Sequence, residues 1–216
     1  MNFWMASIVF AIVSLDLASA SLHVWSQRFV ATSPLENVRR VPDTPEEIAI
    51  TKAIEAEDRN IRGGGEFFKP LKFIVNYPGI DRPKIVKGED SGLPESTPIV
   101  GVEVGGKPYA FVIAALCDPE QHIVNLFVNE TPLSVTYCDL VDCVRVLTDD
   151  SDQPIPLCVG GLDVEQQVVL LLEGQRYGQS SAGIPLKDYP FVRTTLWNWK
   201  ERHPSTSVDV RVRRTR

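Results

Sequence analysis

The run Val100-Gly-Val-Glu-Val104, followed by Gly105-Gly106 and then Lys107-Pro-Tyr-Ala-Phe-Val-Ile-Ala-Ala-Leu116, decides the fold. Val100, Val102 and Val104 alternate with Gly101 and Glu103, the period of a strand with two unlike faces. Gly105-Gly106 is a two-residue turn that accepts positive φ at both positions, and the chain then runs back from Lys107 to Leu116. This reads as a β-hairpin, and the segments around it read the same way.

Downstream, a strand is expected from His122 to Val128, with Asn129-Glu130 as its turn. The next strand carries Leu133, Val135 and Tyr137 on one face and Ser134, Thr136 and Cys138 on the other. A strand around Val144 to Leu147 runs into the polar turn Asp149-Asp150-Ser151-Asp152. The segment Val164 to Leu172 ends in five consecutive apolar residues, which suits a strand buried on both faces. Thr194 or Thr195 caps a short late helix through Arg202, and His203-Pro204 ends it. Trp197 and Trp199, two apart on that helix, face different sides, one toward the core and one toward a surface or groove. Val208, Val210 and Val212 alternate with Asp209, Arg211 and Arg213, the pattern of a half-buried strand.

Upstream the signals change. Thr44 as N-cap, Pro45 at the first helical position and Glu47 three residues after Thr44 form a capping box. Ile48, Ile54 and the intervening alanines give the helix an apolar stripe, and Gly63-Gly64-Gly65 stops it. Residues 21–43 show no strong period and read as a lead-in segment. Residues 44–216 are therefore expected to form a single strand-rich α+β domain, mostly antiparallel sheet, with one early helix and one short late helix.

The N-terminus is apolar from Met1 to Leu17 and reaches Ala18-Ser19-Ala20, small residues that fit an A-x-A cleavage site. Residues 1–20 read as a signal peptide, although no Lys or Arg precedes the apolar run and Asp16 interrupts it. The run is shorter than the roughly 20 apolar residues of a membrane span, and no other stretch supplies one. An exported chain is expected: periplasmic, in the cell envelope or secreted. The hydrophobic fraction of 44% and charged fraction of 23% are ordinary for a globular protein. The net charge of -6 argues against nucleic acid, whose phosphates attract a basic footprint. Arg211, Arg213, Arg214 and Arg216 concentrate positive charge at the C-terminal end, where a solvated strand and frayed end are expected.

Gly178-Gln-Ser-Ser-Ala-Gly183 misses the spacing of a nucleophile elbow by one residue and reads as a loop. Asp149, Asp150 and Asp152 lack the spacing and central glycine of a calcium loop, so a solvated turn is expected. Asn129-Glu130-Thr131 is a glycosylation sequon, relevant only in a eukaryotic secretory pathway.

The cysteines are the informative set: Cys117, Cys138, Cys143 and Cys158. An even number in an exported chain makes all four disulfide candidates, with three connectivities open. In an extended strand Cys138 and Cys143 would lie about 17 Å apart, whereas a bond needs their Cα atoms within about 7 Å. That pair can close only if Asp139 to Asp142 turns, and Asp-Leu-Val-Asp is not a strong turn. The alternative to disulfides is a thiol-redox or metal site centred on Cys138. Thiolates with imidazole suit copper or zinc, and a tetrahedral zinc would take Cys117, His122, Cys138 and Cys143 if the strands that carry them are neighbours.

Several stretches in order resemble one family: Pro98-Ile-Val-Gly-Val-Glu-Val-Gly-Gly-Lys-Pro-Tyr-Ala110, Val135-Thr-Tyr-Cys138, Arg193-Thr-Thr, Trp199-Lys-Glu-Arg-His-Pro204 and Thr206-Ser-Val208. They are similar to the bacterial proteins catalogued as domain of unknown function 3179, over about residues 82–210. The resemblance implies an exported or envelope-associated bacterial protein and carries no biochemical activity with it. The chain departs from the family pattern at its cysteines. The family follows Val-Thr-Tyr-Cys with Pro-Leu-Cys-Gly, a C-x-x-C element. Here Cys138 matches the first cysteine, Val141 stands at the second, and Cys143 follows two residues late. The family's Asn-Trp-His-Glu stretch is replaced by Cys117-Asp-Pro-Glu-Gln-His122, and the first tryptophan of its W-x-x-W falls on Leu196. Either Cys143, Cys117 and His122 rebuild the altered site, or this member keeps the scaffold alone. The reading is a non-catalytic exported module, binding an envelope protein or small ligand or serving a structural role. Its alternative is the thiol-redox or metal-binding protein described above.

Overall fold

Asn129-Glu130 turns where Gly105-Gly106 turns, although neither residue is glycine: φ is 49° and 62° for the first pair and 55° and 73° for the second. Both are two-residue turns with positive φ throughout, whose twist matches that of the flanking strands. A third, Glu173-Gly174, has φ of 48° and 85°. The computed structural model describes residues 60–211. The signal segment, the lead-in, the capping box at Thr44, and Arg213, Arg214 and Arg216 lie outside the described residues. Only the last helical residues before Gly63, 60–62, are described.

Among the described residues, thirteen strands fill three sheets. The first sheet holds β1 (Leu71–Pro78), β8 (Leu157–Asp163), β9 (Val168–Leu172) and β10 (Gln175–Gly178), in that order. The second runs β11 (Lys187–Asp188), β7 (Cys143–Thr148), β6 (Thr131–Cys138), β5 (Ile123–Val128). The third runs β12 (Val192–Thr195), β3 (Pro98–Val104), β4 (Lys107–Val112), β13 (Ser207–Asp209), β2 (Ile85–Lys87). Every named pairing is antiparallel except β13 with β4. The helical residues 60–62, two short α-helices, α1 (Ile113–Leu116) and α2 (Leu196–Arg202), and two single-turn 3-10 helices, Gly88–Asp90 and Pro119–Gln121, complete the regular structure of the described part.

The second sheet is the middle layer. Val124, Leu126, Leu133, Val135, Tyr137 and Val146 on one of its faces pack with Val100, Val102, Val104 and Phe111 of the third sheet. Ile123, Cys138 and Leu147 on its other face pack with Leu157, Val159, Val168 and Leu170 of the first. A third cluster joins α1 and α2 to the far face of the third sheet through Ala115, Leu196 and Trp199. Burial of such side chains supplies roughly 1.5–3 kcal/mol each before entropy is counted. Gly101 is where α2 docks: a Cβ there would meet the Trp199 ring at 2.5 Å.

The structure corrects three boundaries. The return strand of the first hairpin stops at Val112, and Ile113–Leu116 is a helical turn. Its last carbonyls find local partners, the Cys117 thiol on Ile113 O and His122 Nδ1 at 2.7 Å from Leu116 O. The segment from Val164 begins as a turn, because the buried Asp163 carboxylate accepts the amides of Glu165 and Gln167. The strand starts at Val168 and is buried on both faces as its composition implies. The last strand is three residues long and not half-exposed. It lies between β4 and β2, so Asp209 is buried and Arg211 folds back onto it, Nε to Oδ2 at 2.7 Å. A buried carboxylate needs such a partner, and Arg211 is thus an internal counter-charge.

The late helix follows its sequence signals. Thr195 accepts the Asn198 amide, and His203 is the C-cap, its amide bonding Trp199 O. Trp199 is 3% exposed, with Nε1 donating to Thr206 Oγ1, while Trp197 is 53% exposed.

Candidate functional site

Cys138 ends β6 and Cys143 begins β7, and the two are cross-strand partners in the ladder. Asp139 to Asp142 therefore does turn, although its sequence is a poor turn former. Asp142 adopts φ of 50°, a left-handed conformation that aspartate tolerates better than most residues. Two side chains hold it there: Tyr137 Oη donates to Asp142 Oδ1 at 2.9 Å, and Arg193 Nη2 donates to the same oxygen at 2.7 Å. Arg193 also donates to Asp142 O. These bonds hold the Asp142 carboxyl below the usual carboxylate range, Arg193 being the larger cause. Burial, and then the bond to Asp142, keep the Tyr137 phenol well above its ordinary value. The tip itself exposes Leu140 and Val141.

Alternation fixes the faces. Cys138 lies with the core between the middle and first sheets, and Cys143 packs against that same core. The Cys138 thiol donates to Gln166 O at 3.4 Å. Gln179, fully buried, donates from Nε2 to Thr136 Oγ1 and to Cys143 O, while its Oε1 has no protein partner. Arg145 on the same face clamps the loop before β11, donating to Gln179 O, Ser181 O and Asp188. Burial pushes the Cys143 thiol up, followed by Cys138 beside it; Arg145 and Arg193 pull it down and Asp142 adds a small push up. A raised thiol carries little thiolate at neutral pH.

The other two ligand candidates sit elsewhere. Cys117, after α1, packs on the opposite core, that of Tyr137 and Val135. His122 is the ladder neighbour of Tyr137, whose amide donates to His122 O. Its ring is bonded to Leu116 O, and Nε2 lies 3.8 Å from Asp139 Oδ1. Burial lowers its pKa, against the opposing pull of the Leu116 carbonyl, Asp139 and Asp118. The structure thus brings together Cys138 and Cys143, whereas Cys117 packs on the opposite core and His122 is held at Leu116 O. Among the described residues, no three His, Cys, Asp or Glu side chains gather to hold a metal ion. Cys158 is on β8 between Leu157 and Val159, which face the core, so it points to the outer face of the first sheet. No disulfide is formed among the four cysteines.

The remaining motifs are bonded to their neighbours. Ser180 donates to Gln167 Oε1 and Ser181 Oγ accepts the Gly183 amide, which fixes 178–183 as a braced loop. Asp149 accepts from the Ser151 amide and hydroxyl, and Asp150 pairs with Lys187. Surface hollows among the described residues include one lined by Lys87, Gly88, Glu89 and Pro204 to Thr206 and another by Tyr77 to Ile80 and Glu120. Neither includes a cysteine or His122. Among the described residues, no helix is long and apolar enough to cross a membrane. Nothing in the sequence links Gln179, Arg145, Asp142 and Arg193 to the cysteine pair they frame, although Arg193 belongs to the family-like Arg193-Thr-Thr and Gln179 to the 178–183 loop, because bonds between distant segments bring them there.

The family model described as "Protein of unknown function (DUF3179)" matches residues 76–214. The comparison with curated proteins returned no significant match, and neither did that with solved structures.

Proposed function

Since the chain belongs to the DUF3179 family of proteins of unknown function, we propose that it is a non-catalytic exported module of the bacterial envelope, binding an envelope protein or small ligand or acting structurally. One observation carries the reading: the chemically capable side chains around the cysteine pair and its turn, and the candidate ligand His122 across the sheet, are spent on holding the fold. His122 caps α1, Tyr137 and Arg193 hold Asp142, Gln179 and Arg145 tie a loop to β7, and the Cys143 thiol is pushed up. A catalytic nucleophile needs the opposite, a lowered pKa or an adjacent base. Export is supported by the apolar N-terminus and its Ala18-Ser19-Ala20 site.

The second reading is thiol-redox or copper- or zinc-binding at Cys138. The pairing of Cys138 with Cys143 favours its thiol half, since Cys117 and His122 lie across the middle sheet. One experiment separates the readings. The gene is deleted in its host and complemented with wild type or with a Cys138→Ser, Cys143→Ser double variant. An envelope phenotype rescued in proportion to the folded amount present supports the module. A variant with wild-type melting temperature and level but no rescue replaces it with thiol chemistry. Intact mass of the exported protein starting at Ser21 tests the compartment.

A further inference from the structure

Of all pairings among Cys117, Cys138, Cys143 and Cys158, one places both sulfurs on the same face of adjacent strands. Cys138 and Cys143 are direct ladder partners. Partners of this kind have Cα atoms about 4.5–5.5 Å apart, inside the range of about 4.4–6.8 Å that a disulfide accepts. Both sulfurs look into the core shared with the first sheet. Cys117 is on the far side of the middle sheet and Cys158 on the outer face of the first. Neither can reach another cysteine without dismantling a layer.

We infer that Cys138 and Cys143 are an oxidisable pair that closes a disulfide across the β6–β7 hairpin, while Cys117 and Cys158 stay thiols. The oxidant is a disulfide, small or protein-borne. The more accessible Cys143 gives up its proton to solvent and, through the small fraction so ionised, attacks that disulfide and forms a mixed disulfide, releasing one thiol. The Cys138 thiolate then attacks the Cys143 sulfur and releases the second. The chain loses two hydrogens, one S–S bond forms, and the oxidant is reduced to two thiols. The bond would fasten the base of the turn that Tyr137 and Arg193 hold through Asp142, directly beneath Leu140 and Val141. The inference rests on the export reading for its oxidising compartment and on geometry alone for its connectivity.

The test uses the full chain, purified reduced and then refolded in a buffer of oxidised and reduced glutathione. Intact mass is expected to fall by two hydrogens, with alkylation confined to Cys117 and Cys158. A Cys117→Ser, Cys158→Ser variant is expected to lose the same two hydrogens, whereas Cys138→Ser loses none and carries glutathione on Cys143. The melting temperature of the oxidised chain is expected to exceed that of the reduced chain by about 4–8 °C, from the entropy of a short closed loop. Four alkylatable thiols after equilibration, or a bond that uses Cys117 or Cys158, overturns the inference. A chain that oxidises as expected in the tube but is found unprocessed in the cytoplasm overturns the export reading instead.

Discussion

The two faces of the middle sheet are both buried, and they are built differently. Toward the third sheet the face is hydrocarbon with one phenol: Val124, Leu126, Leu133, Val135, Tyr137 and Val146. Toward the first sheet it mixes Ile123 and Leu147 with Asn125, Ser134, Thr136 and Cys138, all at most a few per cent exposed. Asn125 and Cys138 reach across the layer, Asn125 Nδ2 donating to Leu157 O on β8 and the Cys138 thiol to Gln166 O, while Ser134 Oγ donates to Asn125 Oδ1 and Thr136 Oγ1 to Arg145 O within the sheet. Alternating apolar and polar residues usually mark one wet face. Here the polar residues are the means by which one layer registers on the next, and the cysteine pair is part of that interface.

The comparison can be broken by substitution on either face. Leu133→Ala, at a fully buried position, is expected to lower unfolding stability by about 2–5 kcal/mol, measured by urea denaturation. Asn125→Ala should cost less, about 1–3 kcal/mol, since it strands the Leu157 carbonyl and removes the acceptor of Ser134. A larger loss for Asn125→Ala than for Leu133→Ala would mean that the polar face, not the hydrocarbon one, dominates cohesion.

A smaller effect is expected from pH at the edge of the hydrocarbon face. The folded-state pKa of His122 is depressed below its ordinary 6.5, so the unfolded chain binds the proton first. Stability is then full above about pH 6.5 and declines as pH falls through that value toward the folded pKa. Melting temperatures from pH 7.5 to 5 should drop less steeply in His122→Asn than in wild type. Parallel slopes would remove His122 from the account. Smallest of all is Leu140→Ser at the exposed tip, expected within about 0.5 kcal/mol of wild type. A larger loss there would mean that the tip packs against part of the chain.

The strand-rich antiparallel fold was legible because its local signals were strong: the Gly105-Gly106 turn, the five apolar residues of β9 and the Thr195 cap. The short strands β2, β10, β11 and β12 were not, since a few residues paired at a sheet edge leave no period to read. Ser134, Thr136 and Cys138 read as a separate face, and nothing local shows that a second sheet covers it. At the candidate site, the sequence pointed to all four cysteines and His122, centred on Cys138, and gave a turn at Asp139 to Asp142 as the condition for Cys138 and Cys143 to meet. It could not show that the condition holds, because Asp142 is held at positive φ by Arg193, a residue far along the chain.

The placement of β13 has a consequence for how the chain is made. This strand, last among the described ones, is not added at a margin; it is the keystone between β4 and β2. Synthesis delivers β4 long before Ser207 emerges, so until then the third sheet has a gap where its fourth strand belongs, flanked by two open hydrogen-bonding edges. Unpaired edges invite foreign strands, and partly made chains are most exposed to that hazard. A chain cut before Ser207 should therefore be a trap for other polypeptides rather than a slightly shorter version of the same protein.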